Sequence, residues 1–233
     1  MGNTKYANEY IDKIIKSKAD GVLFHIREKS FYKSNSKLWL PDEFYIQSIK
    51  KIKKHGLKFG ITLADSKKVE SCEKLGVDFY KIFSKDILDE KLVKKIILTK
   101  KKVFASTGMS NITEIKKFIS YIKDNEKNVT LIHTQLDNKI EKVNLKAISL
   151  LKNKCKMNVG YGNHASNIFT VYLSIAFDPS DILFYVKGEK FKKHIDDPHA
   201  VKLSNLKEFI DNIKELKKAI GKETKIKMKA NIK

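Results

Sequence analysis

Short apolar runs alternate with amphipathic stretches along the chain, and that alternation limits the fold more than any other feature. The runs are Gly21-Val-Leu-Phe-His-Ile26, Lys58-Phe-Gly-Ile-Thr62, Asp78-Phe-Tyr-Lys-Ile-Phe83, Val103-Phe-Ala105, Val129-Thr-Leu-Ile-His133, Met157-Asn-Val-Gly-Tyr161 and Asp181-Ile-Leu-Phe-Tyr-Val186. Most are nearly continuous in apolar residues, as strands of a parallel sheet buried on both faces are. Helical spacing of apolar residues fills the stretches between them, beginning with Tyr6, Ala7, Tyr10, Ile11, Ile14 and Ile15. The count is seven strands and eight helices, with a helix first. A (β/α)₈ barrel has eight of each and starts with a strand. The expected fold is therefore an α/β TIM barrel that lacks its first strand. A doubly wound open sheet is the alternative, but the even spacing and the absence of a Gly-x-Gly-x-x-Gly fingerprint argue against it. One domain is expected over 1–220, followed by a lysine-rich tail at 221–233. A missing strand would leave two unpaired sheet edges, to be covered by another chain or by an upstream segment.

In a barrel of this kind the chemistry gathers at the C-terminal ends of the strands. Those ends carry His25 and Arg27, Thr62 and Asp65, Lys81 and Ser84, Ser106 and Thr107, His133 and Gln135, then Tyr161, Asn163 and His164. The stretch Lys102-Val-Phe-Ala-Ser-Thr-Gly-Met-Ser110 ends a strand in hydroxyls and a glycine, and Asn111 with Glu114 reads as a capping box opening a helix. Hydroxyls beside a helix N-terminus make an anion site; a capped turn without a ligand is the alternative. An inward lysine, a ring of hydroxyls and a histidine suit a phosphorylated or carboxylated sugar-like ligand. Plainer readings exist for two of them, Lys81 facing solvent and His133 as a satisfied core or strand-end histidine. His164, at a glycine-loosened strand end after Gly-Tyr-Gly-Asn, is the better ligand candidate.

Charge raises a different possibility. Lysine and arginine number 48 against 27 acidic residues, for a net +21. Only Arg27 is arginine, however, and the lysines are spread over nearly every helix. Nucleic-acid readers lean on the planar fork of arginine, so this distribution speaks for solvated helix faces and against a nucleic-acid partner. No apolar run reaches the ~18 residues that would span a bilayer, and the N-terminal residues lack the apolar core of a signal peptide. Cys72 and Cys155, far apart in sequence, read as buried thiols. A cytoplasmic location is expected.

Taken together, several segments resemble the sialic acid synthase (N-acetylneuraminate synthase) family in order and spacing. They are Ala19-Asp-Gly-Val-Leu-Phe24, Val77-Asp-Phe-Tyr-Lys-Ile-Phe-Ser84, Ala105-Ser-Thr-Gly-Met-Ser110 with Glu114-Ile115, Val143-Asn-Leu145 and Val159-Gly-Tyr-Gly-Asn-His164. The resemblance implies a (β/α)₈ barrel, a transferase that condenses phosphoenolpyruvate with an N-acetylated amino sugar, and a divalent metal, manganese or magnesium, that polarises the sugar aldehyde. The nine-carbon product serves surface polysaccharide biosynthesis. Carried over position by position, the resemblance makes Lys81 and Ser106 the candidate catalytic residues. Thr62, Lys81, Ser84, Ser106 and Asp197 are the candidate substrate-binding residues, and His164 the first metal histidine. A homodimer or a partner synthase chain is implied too.

The departures matter as much. Leu23 stands where the family has a phosphoenolpyruvate lysine, and Leu136 and Asn138 where it has an asparagine and a tyrosine. Val186 stands at the expected second metal histidine, leaving His194 or His199 as substitutes. The antifreeze-like domain usual in the family has no counterpart here. A catalytically silent relative, binding an anionic sugar or a partner synthase subunit, is the competing expectation.

Overall fold

The computed structural model describes residues 3–189 and 196–225. Seven strands form one sheet: β1 (Gly21–Ile26), β2 (Lys58–Leu63), β3 (Phe79–Ile82), β4 (Lys102–Ser106), β5 (Val129–His133), β6 (Asn158–Gly162) and β7 (Ile182–Leu183). They lie side by side in chain order and every pairing is parallel. Each parallel step needs a crossover. The helices are α1 (Thr4–Lys16), α2 (Lys29–Ser34), α3 (Asp42–Lys54), α4 (Val69–Lys74), α5 (Glu90–Ile97), α6 (Ile112–Tyr121), α7 (Ala147–Cys155), α8 (Phe169–Ser174) and α9 (Leu206–Ile220). The expected α/β barrel wall is thus present, with no ladder joining β1 to β7 among the described residues.

Side-chain packing shows that the sheet curls. Leu23 of β1 and Leu183 of β7, at opposite ends of the strand order, both pack on Phe79, Phe104 and Ile132. Those five side chains form an apolar tier inside the wall, with the Phe79 and Phe104 rings edge to face at 5.5 Å. Gly60 makes room for it: a Cβ there would stand 2.1 Å from the Phe79 ring. Below this tier Lys102 Nζ meets Asp181 Oδ1 at 2.6 Å, which ties β4 to the start of β7 across the lower mouth. Above it, period-two alternation puts His25, Thr62, Lys81, Ser106, Thr134 and Tyr185 on the same inner face. The outer faces of the strands pack on the helices in the larger core, which includes Ile61, Tyr80, Ala105, Leu131 and Val159.

Two elements differ from the sequence expectation. The stretch from Arg27 to Leu40 contains the short helix α2 rather than being loop throughout. The run Asp181–Val186 is not one strand: β7 stops at Leu183, and Val186–Lys187 leaves the wall as β8 to pair with β9 (Val201–Lys202). The chain turns because Val201 N donates to Tyr185 O at 2.8 Å and Leu203 N to Lys187 O at 2.9 Å. The expected capping box of α6 is formed by Asn111 and Glu114. His194 and residues 226–233 of the expected tail lie outside the described residues.

Candidate active site

The upper tier opens into a cavity of about 1170 Å³ that also runs down between β1 and β7. Lys81, Ser106, Thr134, His164, Tyr185, Asp196 and Asp197 line it. Lys81 is 8% exposed and its ammonium has no hydrogen-bond or ion-pair partner among the described residues. Burial depresses its pKa to about 8, against the pull of the Asp196 carboxylate. Thr62, its register partner on β2, carries a buried hydroxyl without a hydrogen bond, and so does Thr134. Ser106 makes no side-chain hydrogen bond among the described residues. Buried polar groups are normally satisfied. A buried ammonium with unengaged hydroxyls at strand ends is therefore a set of donors waiting for an anionic, oxygen-rich ligand.

The turn after β4 supplies less than its sequence promised. Thr107 spends both its backbone N–H and its hydroxyl on Ile132 O, at 3.0 and 3.1 Å. The α6 cap satisfies itself: Asn111 N donates to Glu114 Oε2 at 2.8 Å, and Glu114 N to Asn111 Oδ1 at 3.0 Å. Gly108 serves close packing, since a Cβ there would meet Thr134 Cγ2 at 2.9 Å. Ser106 is what remains of this stretch for a ligand. Ser84 is buried in the turn after β3 and does not line the cavity. His133 is a satisfied core histidine, its Nε2 2.9 Å from Val143 O.

The β6–β7 side is a ring of aromatic and imidazole groups. His164 packs on Tyr185 at 5.3 Å and on His199 at 4.7 Å between ring centroids. Tyr185 also meets His199 at 4.9 Å and His25 at 5.8 Å. The residue set against His164 is therefore Tyr185, while Val186 stands in β8, outside the wall. Burial, then the charges of His199 and Lys81, lower the His164 pKa to about 4. Burial, then Lys81, lower His25 to about 3. Both rings are neutral at pH 7, the form in which imidazole accepts a hydrogen bond or ligates a metal. Burial alone would raise the Asp196 carboxyl, but His199, His25 and His164 together hold it below the usual carboxylate range.

Asn163 braces this side. Its Oδ1 accepts from the Tyr161 hydroxyl at 2.9 Å and the Thr170 hydroxyl at 2.8 Å, and its Nδ2 donates to Ala165 O at 3.0 Å. Asp197 lines the cavity, but the acid placed among the histidines is its neighbour Asp196. Asp197 instead acts electrostatically on Tyr10, and its carbonyl accepts from Lys187 Nζ at 2.6 Å. Among the described residues no three His, Cys, Asp or Glu side chains already converge as a metal-ligand set. His199 Nε2, buried beside His164, faces Asp196 Oδ1 at 3.4 Å and helps hold that carboxyl ionised.

Thr134, Tyr185 and Asp196 were not picked out from sequence as candidates. Thr134 lies two residues past inward-facing Ile132, so strand register could have found it. Asp196 sits in a loop after the last strand, where no periodicity reports direction.

Comparison with known proteins agrees with this architecture. The NeuB family profile matches residues 5–225. The N,N'-diacetyllegionaminic acid synthase of Campylobacter jejuni is 30% identical over 190 residues, covering 79% of this chain and 57% of that protein. The pseudaminic acid synthase of Campylobacter jejuni is 25% identical over 185 residues, covering 78% and 54%. The chain spans little more than half the length of either. The crystal structure of N-acetylneuraminic acid synthetase from Leptospira borgpetersenii in complex with citrate superposes on 98% of this chain and 84% of its own, with a TM-score of 0.87 at 22% identity. That likeness speaks for the fold.

Proposed function

The chain belongs to the NeuB family, the sialic acid synthase-like family that its motifs resemble, and from that premise we propose that it is a synthase. It condenses phosphoenolpyruvate with an N-acetylated amino sugar and releases phosphate, giving a nine-carbon sialic-type acid for surface polysaccharide. The observation that carries the reading is the buried, unpaired Lys81 ammonium among unengaged hydroxyls at the strand ends. Lys81 holds the phosphate or carboxylate of phosphoenolpyruvate by charge-assisted hydrogen bonds, and Ser106 and Thr134, which line the cavity, donate to the remaining oxygens, with fully buried Thr62 beside Lys81 behind the lining. Ser84 supports the same end from behind the cavity wall. The apolar tier of Leu23, Phe79, Phe104, Ile132 and Leu183 gives the polar groups an apolar floor, which strengthens those contacts. The sugar occupies the β6–β7 side, near Asp197 and the imidazoles. A divalent metal, manganese or magnesium, would supply Lewis-acid polarisation of the aldehyde there; His164 and His199 would be its nitrogen donors. Catalysis on this reading is mainly positioning of two substrates in one cavity.

The unpaired edges of β1 and β7 favour a homodimer or a partner synthase chain. No helix among the described residues is long and apolar enough to cross a membrane, and a cytoplasmic site of action belongs to the same proposal. A second reading, a catalytically silent relative, is favoured by Leu23, which joins the apolar tier, and by Tyr185, which packs on His164. Both put bulk where the resemblance implies polar groups.

Phosphate release from phosphoenolpyruvate, measured with manganese across a panel of N-acetylated amino sugars, separates the two. Release that requires both sugar and Lys81 supports the synthase. A folded chain that binds phosphoenolpyruvate and never releases phosphate is the silent relative.

A further inference from the structure

Lys81 has a second chemistry open to it besides holding an anion by its charge. Its side chain is 8% exposed, lines the cavity, and has no hydrogen-bond or ion-pair partner among the described residues. A buried cation is costly unless acceptors gather around it. Around Lys81 the wall offers few. Its register neighbours are Thr62 on β2 and Phe104 on β4, and Phe104 belongs to the apolar tier. The titratable groups that act on it are His25 on β1, His164 after β6 and Asp196 in the loop before β9. Both imidazoles are neutral at pH 7, so Asp196 alone favours the ammonium. Desolvation with so little compensation favours the uncharged amine. A desolvated lysine amine is a nucleophile toward carbonyl carbon.

The same cavity supplies the rest of a carbonyl site. The Ser106 and Thr134 hydroxyls line it and make no hydrogen bond among the described residues. They suit the carboxylate of a small 2-oxo acid, in which the carboxylate adjoins the carbonyl carbon. Leu23, Phe104 and Ile132 line the same space and suit the acid's methyl end. Phosphoenolpyruvate has no free carbonyl, so this chemistry is separate from the binding role given to Lys81 above.

We propose that Lys81 is also a covalent nucleophile, forming an imine with a 2-oxo acid of the pyruvate class in this cavity. Addition of the amine to the carbonyl carbon makes the C–N bond. The carbonyl oxygen then leaves as water with the two amine protons, and a proton from solvent gives the iminium. Loss of a C3 proton to solvent turns the iminium into an enamine, and its return exchanges that hydrogen. No oxidant, reductant or metal enters these steps. The imine needs only Lys81 and its surroundings and does not rest on the synthase reading.

The test incubates the full chain with pyruvate and cyanoborohydride at pH 7 and maps the modified lysines by peptide mass spectrometry. An amine that titrates at about 8 is roughly one-tenth uncharged at pH 7, whereas an ordinary lysine near 10.5 is uncharged in roughly one molecule in three thousand. The exposed lysines of the chain are therefore the internal control. Lys81 should be labelled at least tenfold faster than they are. In deuterated water without reductant, the wild type should speed the loss of the pyruvate methyl proton signal at least tenfold over buffer. Lys81→Arg, which keeps the charge and cannot form the imine, should not. Lys81 labelled no faster than the exposed lysines, or exchange undiminished in Lys81→Arg, overturns the proposal. Should Lys81→Arg fail to fold, the wild-type labelling still decides. Phosphoenolpyruvate added to the labelling mixture separates the two ideas. Labelling that it does not slow upholds the imine and counts against the synthase reading. Phosphoenolpyruvate bound by a chain that is never labelled at Lys81 sinks the imine alone.

Discussion

The two halves of the barrel mouth are built in opposite ways. On the β2–β5 side, Thr62, Lys81, Ser106 and Thr134 make no side-chain hydrogen bonds among the described residues, although all four are buried or nearly so. On the β6–β7 side, Tyr161, Asn163, Thr170 and His199 are hydrogen-bonded to protein partners, and His199 Nε2 also faces Asp196 Oδ1 at 3.4 Å. The His164 ring and the Tyr185 hydroxyl make no hydrogen bond among the described residues but pack ring against ring. The first half carries polar groups at a standing cost in stability, which makes sense when a ligand meets them. The second half is held together by its own contacts. Substitutions on the first side should therefore read out in ligand affinity, and those on the second in folding.

The largest effect expected is on phosphoenolpyruvate affinity as a function of pH. The Lys81 ammonium titrates at about 8, so its charge is present at pH 7 and lost as pH rises past that value. His25, His164 and Asp196 face the same space, but the two imidazoles are already neutral at pH 7 and Asp196 already ionised. Affinity should fall about tenfold per pH unit above 8, reaching about a hundredfold by pH 10. A flat profile measured by calorimetry breaks the link to Lys81.

Stability should move the other way at the same residue. The folded pKa of Lys81 lies below its unfolded value near 10.5. The native state thus disfavours the charged form, and the penalty is fully present below pH 8 and fades as pH rises to the unfolded value. Lys81→Met should raise stability in urea unfolding by on the order of 3 kcal/mol at pH 7, with little gain left above pH 10. A destabilised Lys81→Met protein would show that the ammonium is satisfied after all.

Across the mouth, Asn163→Ala removes four side-chain hydrogen bonds, to Tyr161, Thr170, Ala165 O and His199 O, and leaves the Tyr161 hydroxyl with only a long contact to Thr170. It should cost about 2–4 kcal/mol in the same unfolding experiment. A loss below about 1 kcal/mol would erase the contrast between the halves. The smallest effect is expected from Thr134→Val, which deletes a buried hydroxyl with no partner. It should weaken phosphoenolpyruvate binding severalfold and leave stability equal or slightly higher.

The fold was legible because strand length and helical spacing are local properties of sequence. Seven apolar runs sufficed to count the wall, and the Asn111–Glu114 pair announced its cap. The split of Asp181–Val186 into β7 and β8 was not legible. It depends on Val201 and Leu203, which arrive from fifteen or more residues downstream to take the backbone partners of Tyr185 and Lys187. The site was half legible for a related reason. Lys81 and Ser106 sit on strands, where alternation fixes direction. Asp196 and His199 sit in a loop, where only tertiary contact decides that Asp196, and not Asp197, joins the imidazoles. The donors of Thr107 looked available in sequence and proved to be engaged with Ile132 O.

The most direct test of the central claim is a calorimetric titration of phosphoenolpyruvate into the wild type and Lys81→Ala at pH 7, without metal or sugar. The account predicts one site per chain in the wild type and at least a hundredfold weaker binding in the variant. Equal affinities, or no binding to the folded wild type, would contradict it.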